Sequence, residues 1–225
     1  MNRVGLVQNL KIIMLGPPGA GKGTQAAILS QKYGIPHIST GEMFRDHIES
    51  KTELGLKALK YVSAGELVPD EIVIEMTIKK LEELNCKEKG YILDGYPRTV
   101  KQAEALDEHS YSPDIVVEVY VSEDECVKRL SGRRYCPKCK ATYNMIYNPP
   151  KNDEICDFCG TKLKQRIDDR EETVRERFRE YYNKTAPVLQ YYEKVGKLKR
   201  VDGHGSISEV TARIQKLIEE ILGKS

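Results

Sequence analysis

Leu15-Gly16-Pro17-Pro18-Gly19-Ala20-Gly21-Lys22-Gly23-Thr24 decides how the chain is read. An apolar run, Ile12 to Leu15, enters this stretch and a helix-forming segment leaves it from Lys22, so the local order is strand, glycine loop, helix. Glycines let the backbone curl so that successive N–H groups converge on an anion. The N-terminus of the following helix adds about half a positive charge at the same point. Lys22 supplies a mobile ammonium for oxygens further out. The arrangement is that of a phosphate-binding loop, and its bland alternative is a glycine-rich turn without a ligand. After Gly-Lys the usual Ser or Thr is replaced by Gly23, with the hydroxyl one residue later at Thr24, which leaves direct Mg²⁺ coordination by the loop open.

Downstream, the first helix runs to Tyr33, closed by Gly34 and Pro36, with Ala26, Ala27, Ile28 and Leu29 available for packing. Ser39-Thr40-Gly41-Glu42 has capping-box spacing and opens a helix from Gly41 to about Ser50, with Arg45 one turn in. Leu54 to Ala64 is a further helix closed by Gly65, and Asp70 to Leu84 carries Ile74, Ile78 and Leu81 at helical spacing. Tyr91-Ile92-Leu93 reads as a strand ending in Asp94-Gly95-Tyr96-Pro97-Arg98. In a parallel sheet, ligands bind beyond the carboxyl ends of strands, so Asp94 is placed to serve Mg²⁺ through water, its bland alternative being a turn cap. Ile115 to Val121 is nearly continuous in β-branched residues, as a central parallel strand should be. Ser122 to Glu125 and Ser206 to Glu209 repeat the capping spacing, and Leu198 to Val201 is a last strand. Ile207, Val210, Ile214, Leu217, Ile218 and Ile221 line one face of the closing helix. Alternating strands and helices predict an α/β fold, a three-layer doubly wound parallel sheet.

Charge excludes some partners. With 36 basic and 34 acidic residues the formal net charge is +2, too balanced for a nucleic-acid coat or a membrane-surface protein. No apolar run approaches the roughly 20 residues of a membrane helix, and Gln8 and Asn9 interrupt the N-terminal stretch where a signal peptide needs apolar residues. The expectation is a cytoplasmic protein with reduced thiols and neither nucleic acid nor membrane as partner.

The strand-helix rhythm breaks between Gly132 and Asp169. Cys136-Pro137-Lys138-Cys139 and Cys156-Asp157-Phe158-Cys159 are two C-x-x-C turns separated by sixteen residues, a spacing expected of a four-cysteine zinc site. Four thiolates fill a tetrahedral ion and leave no position for substrate, so the metal is expected to be structural, with iron open in the same geometry. The span from Ser131 to Arg170 holds nine basic against five acidic residues, which places a basic cluster at the base of the insert. The run Asp168 to Arg177 begins a long helix and reads, above all at Arg175, as a solvated face with i,i+4 pairs.

Together, Gly16 to Thr24, Ser39-Thr40-Gly41 with Arg45, Asp94 to Arg98, Gly132-Arg133-Arg134 and Asp168 to Arg177 resemble the adenylate kinase family in its long form with a zinc-bearing lid. The resemblance runs from Lys11 to Leu222. It implies a P-loop core of residues 1–38, 69–131 and 170–225, a mobile helical AMP-binding insert of 39–68 and a zinc-bearing lid of 132–169. It implies Mg²⁺-dependent interconversion of ATP plus AMP with two ADP, by a monomer. Gly19, Ala20, Gly21, Lys22, Gly23 and Thr24 would hold the ATP phosphates, with Arg133, Thr142, Tyr143 and Gly205 around the rest of ATP. Thr40, Arg45, Glu66, Leu67, Val68, Gly95, Tyr96, Pro97, Arg98 and Gln102 would form the AMP site, with Arg166 and Arg177 reaching in from the lid side. Two positions depart from common family choices: a basic residue is frequent where Glu66 stands, and a longer side chain where Gly205 stands.

Residue chemistry agrees. Phosphoryl transfer needs positioning and positive charge on the equatorial oxygens, which Lys22, Arg129, Arg133, Arg166 and Arg177 could provide without a nucleophilic Ser, Cys or His. Arg98 and Asp94 complete the expected catalytic set. The alternatives are a kinase for another nucleoside monophosphate and, from a different class, a zinc-ribbon nucleic-acid binder. The Gln102 amide, able to pair with adenine, favours AMP.

Overall fold

The computed structural model describes residues 9–223, so Met1 to Gln8, where most of the N-terminal reading falls, lie outside it, as do Lys224 and Ser225. The elements are β1 (Lys11–Leu15), α1 (Lys22–Tyr33), β2 (His37–Ser39), α2 (Thr40–Glu49), α3 (Glu53–Ala64), α4 (Asp70–Glu83), α5 (Cys86–Lys89) and β3 (Tyr91–Asp94). The chain continues through α6 (Val100–Glu108), β4 (Ile115–Tyr120), α7 (Glu123–Gly132), β5 (Arg133–Tyr135) and β6 (Thr142–Asn144). A short 3₁₀ turn at Ile167–Asp169 leads into α8 (Glu171–Glu180), a π turn (Tyr181–Thr185), α9 (Ala186–Lys194), β7 (Leu198–Asp202) and α10 (Ile207–Leu222).

Five strands form one sheet in the order β2-β3-β1-β4-β7, and every pairing is parallel. Successive side chains of a strand point to opposite faces. Ile12 and Met14 therefore enter one core with Leu29, Val117, Phe178 and Ile214, while Ile13 and Leu15 enter the other with Val73, Leu81, Leu106 and Val188. With helices on both faces, this is the expected three-layer α/β architecture. β1 lies between β3 and β4. The chain leaves β1 toward β2 on one side, and β3 connects to β4 on the other, so the carboxyl ends of β1 and β3 border a crevice.

Several local readings need correction. β2 escaped the sequence reading because three residues with one apolar side chain carry no periodicity; its pairing with β3 makes it a strand. Ala27 is exposed while Gln25 is buried, its amide accepting from Thr211 and donating to the Ile207 carbonyl. At Ser122 there is no side-chain cap: its hydroxyl meets His204, and Glu125 is engaged by Arg129 and Tyr147. Ser39 caps α2 by accepting from the Glu42 N–H, whereas the full reciprocal box forms at Ser206 and Glu209. Ile207, at the first turn of α10, is exposed, and the apolar face begins at Val210. No described helix is long and apolar enough to cross a membrane.

Candidate active site: a cationic crevice at the glycine loop

Gly16 turns the chain out of β1 at φ 138°, where a Cβ would lie 2.4 Å from the Val119 carbonyl oxygen, so no larger residue fits. Lys22, the first residue of α1, folds its ammonium back to donate to the carbonyls of Gly16 and Pro17, both at 2.8 Å. Burial pushes this lysine down to about 8. Two loop carbonyls thus stand where phosphate oxygens would relieve the charge. Gly23 gains a reason from tertiary structure: a Cβ there would sit 3.0 Å from Asp94 Oδ2, so the missing side chain lets the carboxylate ending β3 approach the start of α1. Thr24 is exposed on α1, and Ala20 is buried.

Beside the loop lies a linked set of buried cations. Arg45 and Arg98 are both lowered from the usual guanidinium range, chiefly by burial. Burial, followed by Arg133 and Arg45, pushes Arg166 down to about 9, and its Nε is buried without a partner. Guanidinium groups stay protonated in proteins, so the lowered values mark charges held away from water rather than deprotonation. Arg133 and Arg177 are better served. Asp169, whose side chain is 0% exposed, takes Arg133 in a bidentate pair, with Nε to Oδ2 at 2.7 Å, and accepts from Arg177 at 2.9 Å. Asp168 lies 3.2 Å from Arg177, and its backbone carbonyl accepts from the same guanidinium. Burial alone would raise the Asp168 carboxyl, but Arg177, Arg133 and Arg45 hold it down to about 2. Six cations (Lys22, Arg45, Arg98, Arg133, Arg166, Arg177) are therefore linked with four carboxylates (Glu42, Asp94, Asp168, Asp169). The charge run from Asp168 is not solvated throughout: both aspartates are drawn inward and α8 starts only at Glu171, while Arg175 is exposed and paired with Glu171 as expected. Arg129 stands beside the group, its Nε donating to Glu125 and one terminal nitrogen to the Gly203 carbonyl at 3.1 Å.

The turn after β3 is tightly tied. The Gly95 carbonyl accepts from Thr40 Oγ1 at 2.8 Å and from Arg98 Nε at 2.9 Å. Tyr96, followed by a cis bond to Pro97, is fully buried and donates its hydroxyl to the Gln102 carbonyl. Leu67 donates its N–H to Glu180, Val68 is buried in the core, and Glu66 is exposed. At Gly205, φ is 104° and a Cβ would lie 2.7 Å from the Glu209 carboxylate that closes the α10 cap, which explains glycine in place of a longer side chain. Sequence reasoning missed Asp168, Asp169 and His37, whose Nε2 lies 4.0 Å from Asp94 Oδ2. Adjacent aspartates flanked by arginines were the available signal for the first two.

In the lid, β5 and β6 pair so that Arg133 and Tyr135 lie opposite Asn144 and Thr142. Alternation turns the Tyr143 ring the other way, into the cysteines, where its hydroxyl lies 3.5 Å from Cys156 Sγ and accepts from the Asp157 N–H. Thr142 stays exposed. The sulfurs of Cys136, Cys139, Cys156 and Cys159 lie within 4.8 Å of one another, close to the separation of about 3.8 Å for thiolates around tetrahedral zinc. They do not ionise alike. The Thr161 hydroxyl and backbone hold Cys159 down to about 6, while Cys139, though drawn down by the Ala141 backbone, is pushed up to about 12 by desolvation and the other sulfurs. A divalent cation would let all four ionise, so the donor set suits zinc. The lid also touches α2, where Lys140 meets Asp46 at 2.8 Å and Glu49 at 2.6 Å.

Comparison with known proteins agrees with this geometry. A family model described as adenylate kinase matches residues 14–197. A protein named adenylate kinase from Archaeoglobus fulgidus is 53% identical over 94% of this chain and 99% of its own length. Its namesake from Thermotoga neapolitana is 54% identical over 92% and 96%, and that from Acetivibrio thermocellus 47% over 91% and 96%. With glycine loop, arginine crevice and cysteine lid in one parallel α/β frame, and matches of this extent, the chain belongs to the adenylate kinase family.

Proposed function

We propose that the chain catalyses the reversible, Mg²⁺-dependent transfer of the terminal phosphoryl group of ATP to AMP, giving two ADP. The observation that carries this reading is the buried cluster of six cations against four carboxylates beside the glycine loop, a net positive charge that phosphate chains would offset.

The backbone of Gly19 to Thr24 binds the ATP phosphates, and Lys22 exchanges the carbonyls of Gly16 and Pro17 for phosphate oxygens. Arg133, Thr142 and Gly205 surround the remainder of ATP, and Tyr143 could contribute only through its backbone, its ring being turned into the cysteines. Thr40, Arg45, the stretches Glu66 to Val68 and Gly95 to Arg98, and Gln102 hold AMP, with Arg166 and Arg177 between the two substrates. An oxygen of the AMP phosphate attacks the terminal phosphorus of ATP, the bridging P–O bond breaks, and ADP leaves with the electron pair. Lys22, Arg98, Arg129, Arg133, Arg166 and Arg177 stabilise the charge on the transferring oxygens. Mg²⁺ bound with ATP neutralises and orients the phosphate oxygens, and Asp94 would hold it through water. Zinc on Cys136, Cys139, Cys156 and Cys159 would keep the lid folded without touching substrate.

Water competes with AMP as acceptor, so inserts 39–68 and 132–169 close over the core 1–38, 69–131 and 170–225 before transfer. Their polar contact through Lys140, Asp46 and Glu49 is half exposed, and such pairs contribute only about 0–1 kcal/mol, so it does not hold the site shut. Labels at Lys51 and Asn148 should each move relative to a core label when a bisubstrate analogue binds; unchanged distances would refute closure. The protein is read as a cytoplasmic monomer. The decisive experiment is a coupled assay with AMP, CMP, UMP and GMP as acceptors: AMP should be fastest, and a faster rate with another would overturn the assignment.

A further inference from the structure

Gln102 is 1% exposed, and its amide is held at both ends. Its Oε1 accepts from the Arg98 backbone N–H at 2.7 Å, and its Nε2 donates to Asp70 Oδ1 at 2.7 Å. A backbone N–H can be met only by the amide oxygen and a carboxylate only by the amide nitrogen, so the two ends of this amide are not interchangeable. The second Asp70 oxygen accepts from the Thr99 hydroxyl at 3.1 Å, and that hydroxyl in turn accepts from the Gln102 N–H at 3.2 Å. Asp70 opens α4 and Thr99 caps α6, so two helix starts clamp one side chain.

We propose that Asp70 is a positioning residue for base selection: by fixing the Gln102 amide in one orientation it makes the acceptor site read a 6-aminopurine and reject a 6-oxopurine. The inference rests on the reading that Gln102 faces the acceptor base. Each amide end can form two hydrogen bonds and here spends one, leaving one acceptor on oxygen and one donor on nitrogen. On its Watson–Crick edge adenine presents an exocyclic N–H donor beside the N1 acceptor, which this pair matches. Hypoxanthine presents the reverse, a carbonyl acceptor beside a ring N–H. To match it in the same pose the amide must flip, which sets its oxygen against the Asp70 carboxylate and its NH₂ against the Arg98 N–H. Away from water, such a mismatch leaves buried groups unpaired, the situation in which binding sites discriminate most strongly.

The test compares kcat/KM for AMP and inosine monophosphate, which share ribose and phosphate and differ at the position-6 group and its neighbouring ring proton. The unmodified enzyme should prefer AMP strongly; near-equal use of both would overturn the proposal. Asp70→Asn is nearly isosteric and can accept from or donate to either amide orientation, leaving only the Arg98 N–H to oppose the flip, so the preference should fall by about tenfold, through a lower KM for inosine monophosphate, with KM for MgATP unchanged. Asp70→Ser, which removes the carboxylate, should act likewise if the asparagine variant folds poorly. Gln102→Leu separates the two layers: it should raise KM for AMP and abolish the preference, and an unchanged KM would refute the placement of Gln102. If Gln102→Leu behaves as expected while the Asp70 variants keep the wild-type preference, the positioning role of Asp70 fails alone.

Discussion

Around the glycine loop, charged side chains are carried by a sheet whose Ile12, Ile13 and Met14 are fully buried; beyond Gly132 the lid has only Cys136, Tyr143, Cys156 and Leu163 as its buried apolar cluster. The first region has ample apolar burial and an excess of positive charge. The second has little apolar burial and four clustered sulfurs that only a cation would let ionise together. Removing a polar group should therefore act differently in the two places. In the crevice it should change chemistry or strand a buried charge; in the lid it should change folding. Small folded units without enough apolar core take a metal in its place, and larger ones can carry unpaired charge for function.

The hardest test of this contrast is Lys22→Ala. Turnover should fall by about 10³-fold while the melting temperature stays within about 4 °C, since the ammonium is buried against carbonyls rather than paired with an acid. Equal thermal loss with unchanged turnover would break the comparison. Next is Asp169→Asn, which leaves Arg133 and Arg177 short of their shared carboxylate and should cost at least about 3 kcal/mol in denaturant unfolding. Saturating bisubstrate analogue should recover part of that loss.

Chelating the metal, or Cys156→Ser, should speed hydrogen exchange across the lid and lower its unfolding temperature by several degrees, with a smaller effect on turnover. Metal analysis finding less than one zinc per chain in carefully prepared protein would count against the cysteine reading. A smaller effect is expected from acid. The Asp168 carboxyl titrates at about 2 when folded and near 3.8 when unfolded, so its contribution is fully present above pH 4 and is lost as pH falls through 2. The amount is about 2 kcal/mol, and Asp168→Asn should flatten that limb of the stability profile. Arg175→Ala, at an exposed i,i+4 pair with Glu171, should change stability by less than about 0.5 kcal/mol and leave turnover alone.

Backbone-driven features were legible in the residues. The loop from Gly16 to Thr24 announces itself because glycine spacing at a strand-to-helix junction is a local constraint, and the paired C-x-x-C turns do so because metal geometry fixes their spacing. The apolar runs at Ile12 to Leu15 and Ile115 to Val121 carry the sheet in their composition. Much of the candidate site was legible too, since Asp94 and Arg98 follow a strand end and Arg133 and Arg166 bracket the cysteines. β2 was not, because a three-residue strand has no period and exists only through its partner.

By itself, then, the sequence determined the longer strands and helices, the glycine loop and the paired cysteine turns, because periodicity, glycine and cysteine spacing act over a few residues. Tertiary structure alone decided how the charges are shared. It drew Asp168 and Asp169 out of an apparently solvated run into contact with Arg133 and Arg177, and left the Arg166 Nε buried without a hydrogen-bond partner. It gave Gly23 its purpose beside Asp94, turned Tyr143 into the sulfurs, and clamped Gln102 between Arg98 and Asp70. The contacts among these join groups from different elements at 2.5 to 3.5 Å away from water, where pairing outweighs local preference.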